Sequence, residues 1–244
     1  MPKFFVGPQA VQGDSAFLTG DAAAHAKVLR LSCGDEVTLC TGDGTDWRCS
    51  VRALHSGQID LNVLACVPSS SEPQMQVRVY MAYAKSDKLE HVIQKATELG
   101  ASEIVAFPSS RCVSRPDGAS LPKKLERWRK IAASAAEQSG RGKIPEVLTA
   151  DSFEKALEQA AGADFAAFLY ENESHLSLRS AFAAGTYRTA SLVTGPEGGF
   201  TEEEAALAAE KGLRVCTLGP RILRCETAPL CALTAMLFAA GELD

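Results

Sequence analysis

The chain has 244 residues and a mass of 25.9 kDa, enough for one large domain or two smaller ones, each with its own core. Apolar residues make up 46% and charged residues 23%, a balance that excludes a disordered or fibrous chain. The formal charge of −5 argues against a nucleic-acid binder overall, although such a sum hides local patches.

Met1–Gly7 shows no basic segment followed by a long apolar run, so no secretory signal is expected. No stretch approaches the ~18 apolar residues of a membrane span. Eight cysteines occur without a C-x-x-C pair, and no metal site is expected. They read as reduced, mostly buried thiols of a cytoplasmic protein.

Residues 1–67 look β-rich. Val37–Cys40 and Asp46–Leu54 read as strands joined through Gly42-Asp43-Gly44, and Asp21–Arg30 as a short helix. Ile59, Leu61, Val63, Ala65 and Val67 alternate along a further strand. The sequence predicts a small β-barrel-like module over 1–70. The linker Pro68-Ser69-Ser70-Ser71-Glu72-Pro73 separates it from a second domain over 75–244.

In that second domain strands alternate with helices. Val77–Ala84 is a strand, followed by a helix opened by Asp87 and Glu90 and stopped by Gly100. Glu103–Pro108, Ala163–Tyr170, Ala190–Gly195 and Val215–Gly219 are further strands. Leu121–Gln138, Ser152–Ala161 and the segment from Thr201 to Gly212 are helices, the last with a Thr201–Glu204 capping box. Residues 225–240 form a final helix, apolar nearly all round, which predicts burial on every side and suits a subunit interface. This order predicts an α/β parallel sheet covered on both faces.

Three polar loops follow apolar strands: Glu171–Ser174, Gly195–Phe200 and Gly219–Thr227. Ligands of open parallel sheets bind beyond the carboxyl ends of the strands, so these loops predict a pocket. Glu197 and the absence of a G-x-x-x-x-G-K-[ST] run disfavour a phosphate loop. Backbone amides with a carboxylate suit a cationic ligand carrying an adenosine. Serine-hydrolase and zinc-protease signatures are missing. Between Arg111 and Lys143, nine basic residues face three acidic ones. The stripe is either a solvated helix face or a phosphate-backbone footprint, and its spread over a helix and both flanking loops leans toward RNA.

Together these motifs resemble the RsmE family of 16S rRNA uracil-N3 methyltransferases, a branch of the SPOUT superfamily. The resemblance rests on five segments. They are His25 with Val28-Leu29-Arg30, Lys88–Gly100, Arg111 with Glu137–Arg141, Thr194–Phe200, and Leu218–Ala228. It implies a PUA-like β-barrel followed by a SPOUT-type parallel sheet with a C-terminal trefoil knot. It also implies a homodimer acting on 16S rRNA or the small ribosomal subunit, with S-adenosyl-L-methionine as cofactor. The implied cofactor residues are Leu169, Tyr170, Glu171, Thr194, Gly195, Glu197, Gly199, Leu218, Gly219, Ile222, Leu223, Thr227 and Ala228. Arg224 and Glu226 are the expected catalytic pair. Arg224 would meet charge on the uracil oxygens, and Glu226 would brace that arginine or take a proton. RNA contacts are expected from Arg30, Lys88, Arg111, Arg115, Lys123, Lys124, Arg127, Lys130 and Arg141. Cys225 departs from the threonine more usual there. Two rival readings are a non-catalytic RNA-binding assembly factor and a nucleotide-binding oxidoreductase, the second lacking its G-x-G-x-x-G fingerprint.

Overall fold

The computed structural model describes residues 1–243 in two compact units. One comprises Met1–Glu72 with Ala136–Ile144, the other Pro73–Ala135 with Pro145 onward.

The first unit is a six-stranded sheet of β1 (Lys3–Phe5), β2 (Val11–Gln12), β3 (Ser15–Thr19), β4 (Glu36–Cys40), β5 (Thr45–Leu54) and β6 (Gln58–Pro68), in the order β1-β4-β5-β6-β3-β2. β1 runs parallel to β4 and every other pairing is antiparallel. Gly42 (φ 82°) and Gly44 (φ 87°) supply left-handed backbone at the β4–β5 turn, where Asp43 accepts from Thr41 and Thr45. Alternation in β6 points Ile59 and Leu61 inward. There they meet Phe4, Leu18, Val37, Leu39, Val51 and α1 (Gly20–Val28), so both ends of the sheet close on one core, as a barrel-like module requires.

The sequence pattern gives no hint that Ala136–Ile144 belongs to this unit. Glu72 makes the attachment. Its carboxylate accepts from Arg141 Nη2 (2.6 Å) and the amides of Gly142 (2.8 Å) and Lys143 (3.1 Å). Lys3 adds a bond to the Gly140 carbonyl (3.1 Å) and an ion pair with Asp46 (2.7 Å). Burial would raise the Glu72 carboxyl, but Arg141 and the two amides outweigh it and hold the group below its usual range.

The second unit carries β7 (Gln76–Ala82), β8 (Glu103–Phe107), β9 (Glu146–Thr149), β10 (Phe165–Leu169), β11 (Thr189–Thr194) and β12 (Arg214–Cys216). All pairings are parallel, in the order β12-β10-β11-β7-β8-β9. Alternate strand residues go to opposite faces. Val77, Val79, Met81, Ile104, Phe165 and Leu192 pack under α2 (Ser86–Leu99), α3 (Leu121–Ser139), α5 (Leu178–Phe182) and α7 (Ala228–Ala239). Tyr80, Val105, Phe107, Phe168 and Val193 pack under α4 (Phe153–Ala161) and α6 (Glu202–Glu210). The Thr201–Glu204 capping box is present.

Both sheet edges are short. Just beyond β12, residues 176–178 bracket Thr217, with Thr217 donating to Leu176 and Leu178 donating to Thr217. The Arg214 guanidinium lies over the rings of Phe165 and Tyr187. At the other edge Arg129 donates to the Val147 carbonyl of β9.

Several expectations are corrected. The α2 N-cap is Lys85, without a side-chain cap; its amide instead donates to Glu197 from a distant loop. Gly100 does end that helix, at φ 103°. α7 is not buried all round: Leu233, Met236 and Leu237 are buried, whereas Cys231, Ala235 and Phe238 are exposed. All eight cysteines are free, but Cys33, Cys66 and Cys231 are exposed. Among the described residues no helix is long and apolar enough to cross a membrane.

Candidate active site

Because β12, β10 and β11 are neighbours, the loops leaving their carboxyl ends face one another. They enclose a cavity of about 810 Å³. It is lined by Leu169, Tyr170 and Glu171 after β10, Thr194, Gly195, Glu197 and Gly199 after β11, and Leu218, Gly219, Ile222, Leu223 and Arg224 after β12. Ala228 at the start of α7 completes this wall. Thr227 and Glu226 instead line an adjoining apolar groove with His91, Leu230 and Phe238. Asn172 and Ser174, from the first of the three predicted loops, also line the cavity, as does Thr217, which the sequence pattern places within a strand and whose place directly after β12 was the available signal.

The Gly195–Phe200 loop is pinned from both ends. The buried Phe200 ring stacks on Phe168 at 4.2 Å between centroids. The Arg111 guanidinium donates to the carbonyls of Gly198 and Phe200, both at 3.0 Å. Glu204 ties the following turn to Ser110 (2.8 Å). Gly195 packs against the backbone of Gly199, 3.2 Å from where its Cβ would lie. Gly199 has φ 65°, and a Cβ there would stand 2.1 Å from Glu171 Oε1. The glycines therefore let three strand-end loops approach each other closely.

The charged groups divide differently from the sequence expectation. Lys88, expected on the RNA face, lines the cavity. Its Nζ lies 3.2 Å from Glu226, 3.9 Å from Glu197 and 3.8 Å from Cys225 Sγ. The Glu226 bond and the surrounding carboxylates raise the Lys88 pKa, keeping it protonated. Burial acts to raise Glu226, but its own backbone amide, Cys225 and Lys88 bring it below the usual carboxylate range. That suits an ionised hydrogen-bond acceptor better than a strong base. Burial, with the bond to Glu226, pushes the Cys225 thiol up to about 12, so it stays a thiol. Glu226 does not brace Arg224: it is engaged by Lys88, and among the described residues Arg224 makes no ion pair. The Glu197 Oε1 atom accepts from Lys85, while its Oε2 is buried at the cavity without a partner.

The basic stripe is largely used within the chain. Arg141 is 3% exposed and paired with Glu72, which removes it from the residues able to face a phosphate. Arg111 holds the glycine loop, and Arg115 donates to the Ser109 carbonyl. Arg127 pairs with Glu90 (2.7 Å) and Lys130 with Glu126 (2.8 Å). Lys123 and Lys124 form no ion pair among the described residues. In the first unit Arg30 is exposed and holds φ 57° after α1. Among the described residues no group of three or more His, Cys, Asp and Glu side chains is placed to hold a metal.

Comparison with known proteins gives this geometry a class. A family of RNA methyltransferase domains matches residues 70–237, and a family of RNA methyltransferase PUA domains matches residues 18–64. The architecture is thus that of a SPOUT RNA methyltransferase preceded by a PUA-like domain. The ribosomal RNA small subunit methyltransferase E of Bacillus subtilis is 36% identical over 98% of this chain and 96% of its own length. The crystal structure of a ribosomal RNA small subunit methyltransferase E from Neisseria gonorrhoeae, bound to S-adenosyl methionine, superposes with a TM-score of 0.87. It is 29% identical and covers 98% of both chains. A methyltransferase from Legionella pneumophila in complex with the same cofactor gives 0.86, at 28% identity over 97% of each chain. The chain belongs to the ribosomal RNA small subunit methyltransferase E family.

Proposed function

We propose that this protein transfers a methyl group from S-adenosylmethionine to N3 of a uridine in 16S rRNA, free or within the small ribosomal subunit. The observation that carries the reading is the three-loop cavity at adjacent strand ends, which family membership places in a methyltransferase. The cavity fits the cofactor on its own terms. The buried, unpartnered Oε2 of Glu197 offers an anionic acceptor to a cationic ligand, and the loop glycines admit close backbone contact. Ile222, 87% exposed in the loop after β12, offers apolar surface to a nucleoside. Leu169, Tyr170, Glu171, Thr194, Gly195, Glu197, Gly199, Leu218, Gly219, Ile222, Leu223 and Ala228 would form the binding walls. The Thr194 hydroxyl is committed to the Tyr80 carbonyl and would contribute shape only. The RsmE resemblance carries the expectation that these loops are threaded as a trefoil knot.

When bound, S-adenosylmethionine supplies an activated methyl group. The chain's task is to present N3, which lies on the Watson–Crick edge, so the target base must be unpaired or flipped out. Loss of the N3 proton to solvent spreads negative charge onto the flanking carbonyl oxygens. The Arg224 guanidinium at the cavity wall offers planar forked donors to that anion. Residues 1–70 would hold rRNA, with Arg30 exposed for a phosphate, while 75–244 carries the cofactor. Lys123 and Lys124 extend the electrostatic contact. The exposed apolar strip of α7 supports a homodimer, and the assembly would work in the cytoplasm.

Labelled methyl transfer to 16S rRNA and to small subunits, followed by mass spectrometry of the nucleosides, tests the reaction. 3-Methyluridine is the expected product, and another methylated nucleoside would overturn the assignment. Light scattering at micromolar concentration should show a dimer, and a fully active monomer would refute that element.

A further inference from the structure

Lys88 and Glu226 come from opposite ends of the second unit's sequence and meet where the cofactor cavity joins the groove along α7. Lys88 lines the cavity and Glu226 lines the groove, with 3.2 Å between Nζ and Oε2. We infer that this ion pair reads the Watson–Crick edge of the target base and selects uracil over cytosine. The inference rests on the methyltransferase reading above and specifies how its substrate is chosen.

The polarity of this pair is fixed. A protonated lysine has three donors and no acceptor, and an ionised glutamate only accepts. The bond to Glu226 raises the Lys88 pKa, and against burial the Glu226 backbone amide, Cys225 and Lys88 lower that of the carboxyl, so both groups keep their charge. The pair can stay joined through one N–H and one oxygen while its remaining donors and lone pairs face outward. Uracil presents a carbonyl acceptor beside an N3–H donor, which matches an ammonium beside a carboxylate. Cytosine presents an amino donor beside a bare N3 acceptor. It would set donor against donor and lone pair against carboxylate, leaving the outward-facing donors and lone pairs of the pair unmet. An asparagine or glutamine could rotate its amide to suit either base, whereas this pair cannot. Cys225 strengthens the lock: its thiol donates to Glu226 Oε2 at 3.3 Å, fixing the carboxylate, and it stays protonated to do so.

The test uses the full-length protein saturated with S-adenosylhomocysteine. The probe is a 16S rRNA fragment carrying either uridine or cytidine at the position the wild type methylates. Fluorescence anisotropy gives the ratio of the two affinities. The wild type should favour uridine roughly 10- to 100-fold, the range of one good two-point base contact. In Lys88→Met and Glu226→Gln the ratio should fall to within about twofold, with Glu226→Gln gaining affinity for the cytidine probe. Circular dichroism and S-adenosylhomocysteine binding identify folded variants. Lys88→Arg, which keeps the donors, should retain most of the preference if the variants above lose it. A folded Lys88→Met with the wild-type ratio would overturn the inference while leaving the methyltransferase reading intact. A wild type that transfers no methyl group to rRNA would overturn that reading, and this one with it.

Discussion

Gly199→Ala separates two reasons for a glycine at the centre of the site. The first is conformational: at φ 65° an L-residue carries a penalty of ~1–2 kcal/mol. The second is spatial. The new Cβ would lie 2.1 Å from Glu171 Oε1, so that carboxylate must retreat by about 1.3 Å to reach ordinary contact. Glu171 is exposed, and its movement costs little stability but alters the cavity wall. For a unit of this size, ~1–2 kcal/mol corresponds to a fall in melting temperature of ~2–8 °C. Scanning calorimetry reads the strain, and titration calorimetry with S-adenosylmethionine reads the wall. Adding Glu171→Ala removes the clash and leaves the backbone strain, so the double variant should keep the lowered melting temperature. A Gly199→Ala protein with wild-type melting temperature and wild-type cofactor affinity would refute both halves of the reasoning.

Arg224→Lys should bind cofactor normally but lose most single-turnover methylation at saturating rRNA, because an ammonium lacks the planar fork; a near wild-type rate would exclude that role. Replacing Lys123 and Lys124 by glutamine should lower the log–log salt slope of rRNA binding by ~0.9 for each phosphate no longer neutralised, and an unchanged slope would return this face to simple solvation. Glu72→Gln tests the attachment of Ala136–Ile144. The folded Glu72 carboxyl lies below its usual range, so its stabilisation is complete above the ordinary glutamate pKa and fades as pH falls through the lowered value. Urea unfolding should therefore show wild type ahead of Glu72→Gln at neutral pH, with the gap closing in acid; a gap constant down to strong acid would contradict the assignment.

What the sequence disclosed follows from the range of the forces involved. β4–β8, β10 and β11 announce themselves through alternation or continuous apolar runs, which are local signals. β1, β2 and β9 have two to four residues, too few to show a period, and the five-residue α5 is equally short. The three loops were legible because glycine and polar residues directly follow buried strands. Misplaced side chains have partners distant in sequence. Lys88 looks like a solvated helix residue until Glu226, 138 positions away, is brought beside it. Arg141 looks like a surface cation, and its partner Glu72 sits in a stretch that reads as a linker. A lone acid between two prolines was the available clue to that pair.

A parallel sheet that ends in an uncovered strand invites another chain to add itself there, a route to uncontrolled polymerisation. Here neither end extends that invitation. β12 offers three residues and β9 four, residues 176–178 bond to Thr217 just beyond β12, and a β9 carbonyl is taken by Arg129. The edges of this sheet therefore leave a second copy little free backbone to pair with.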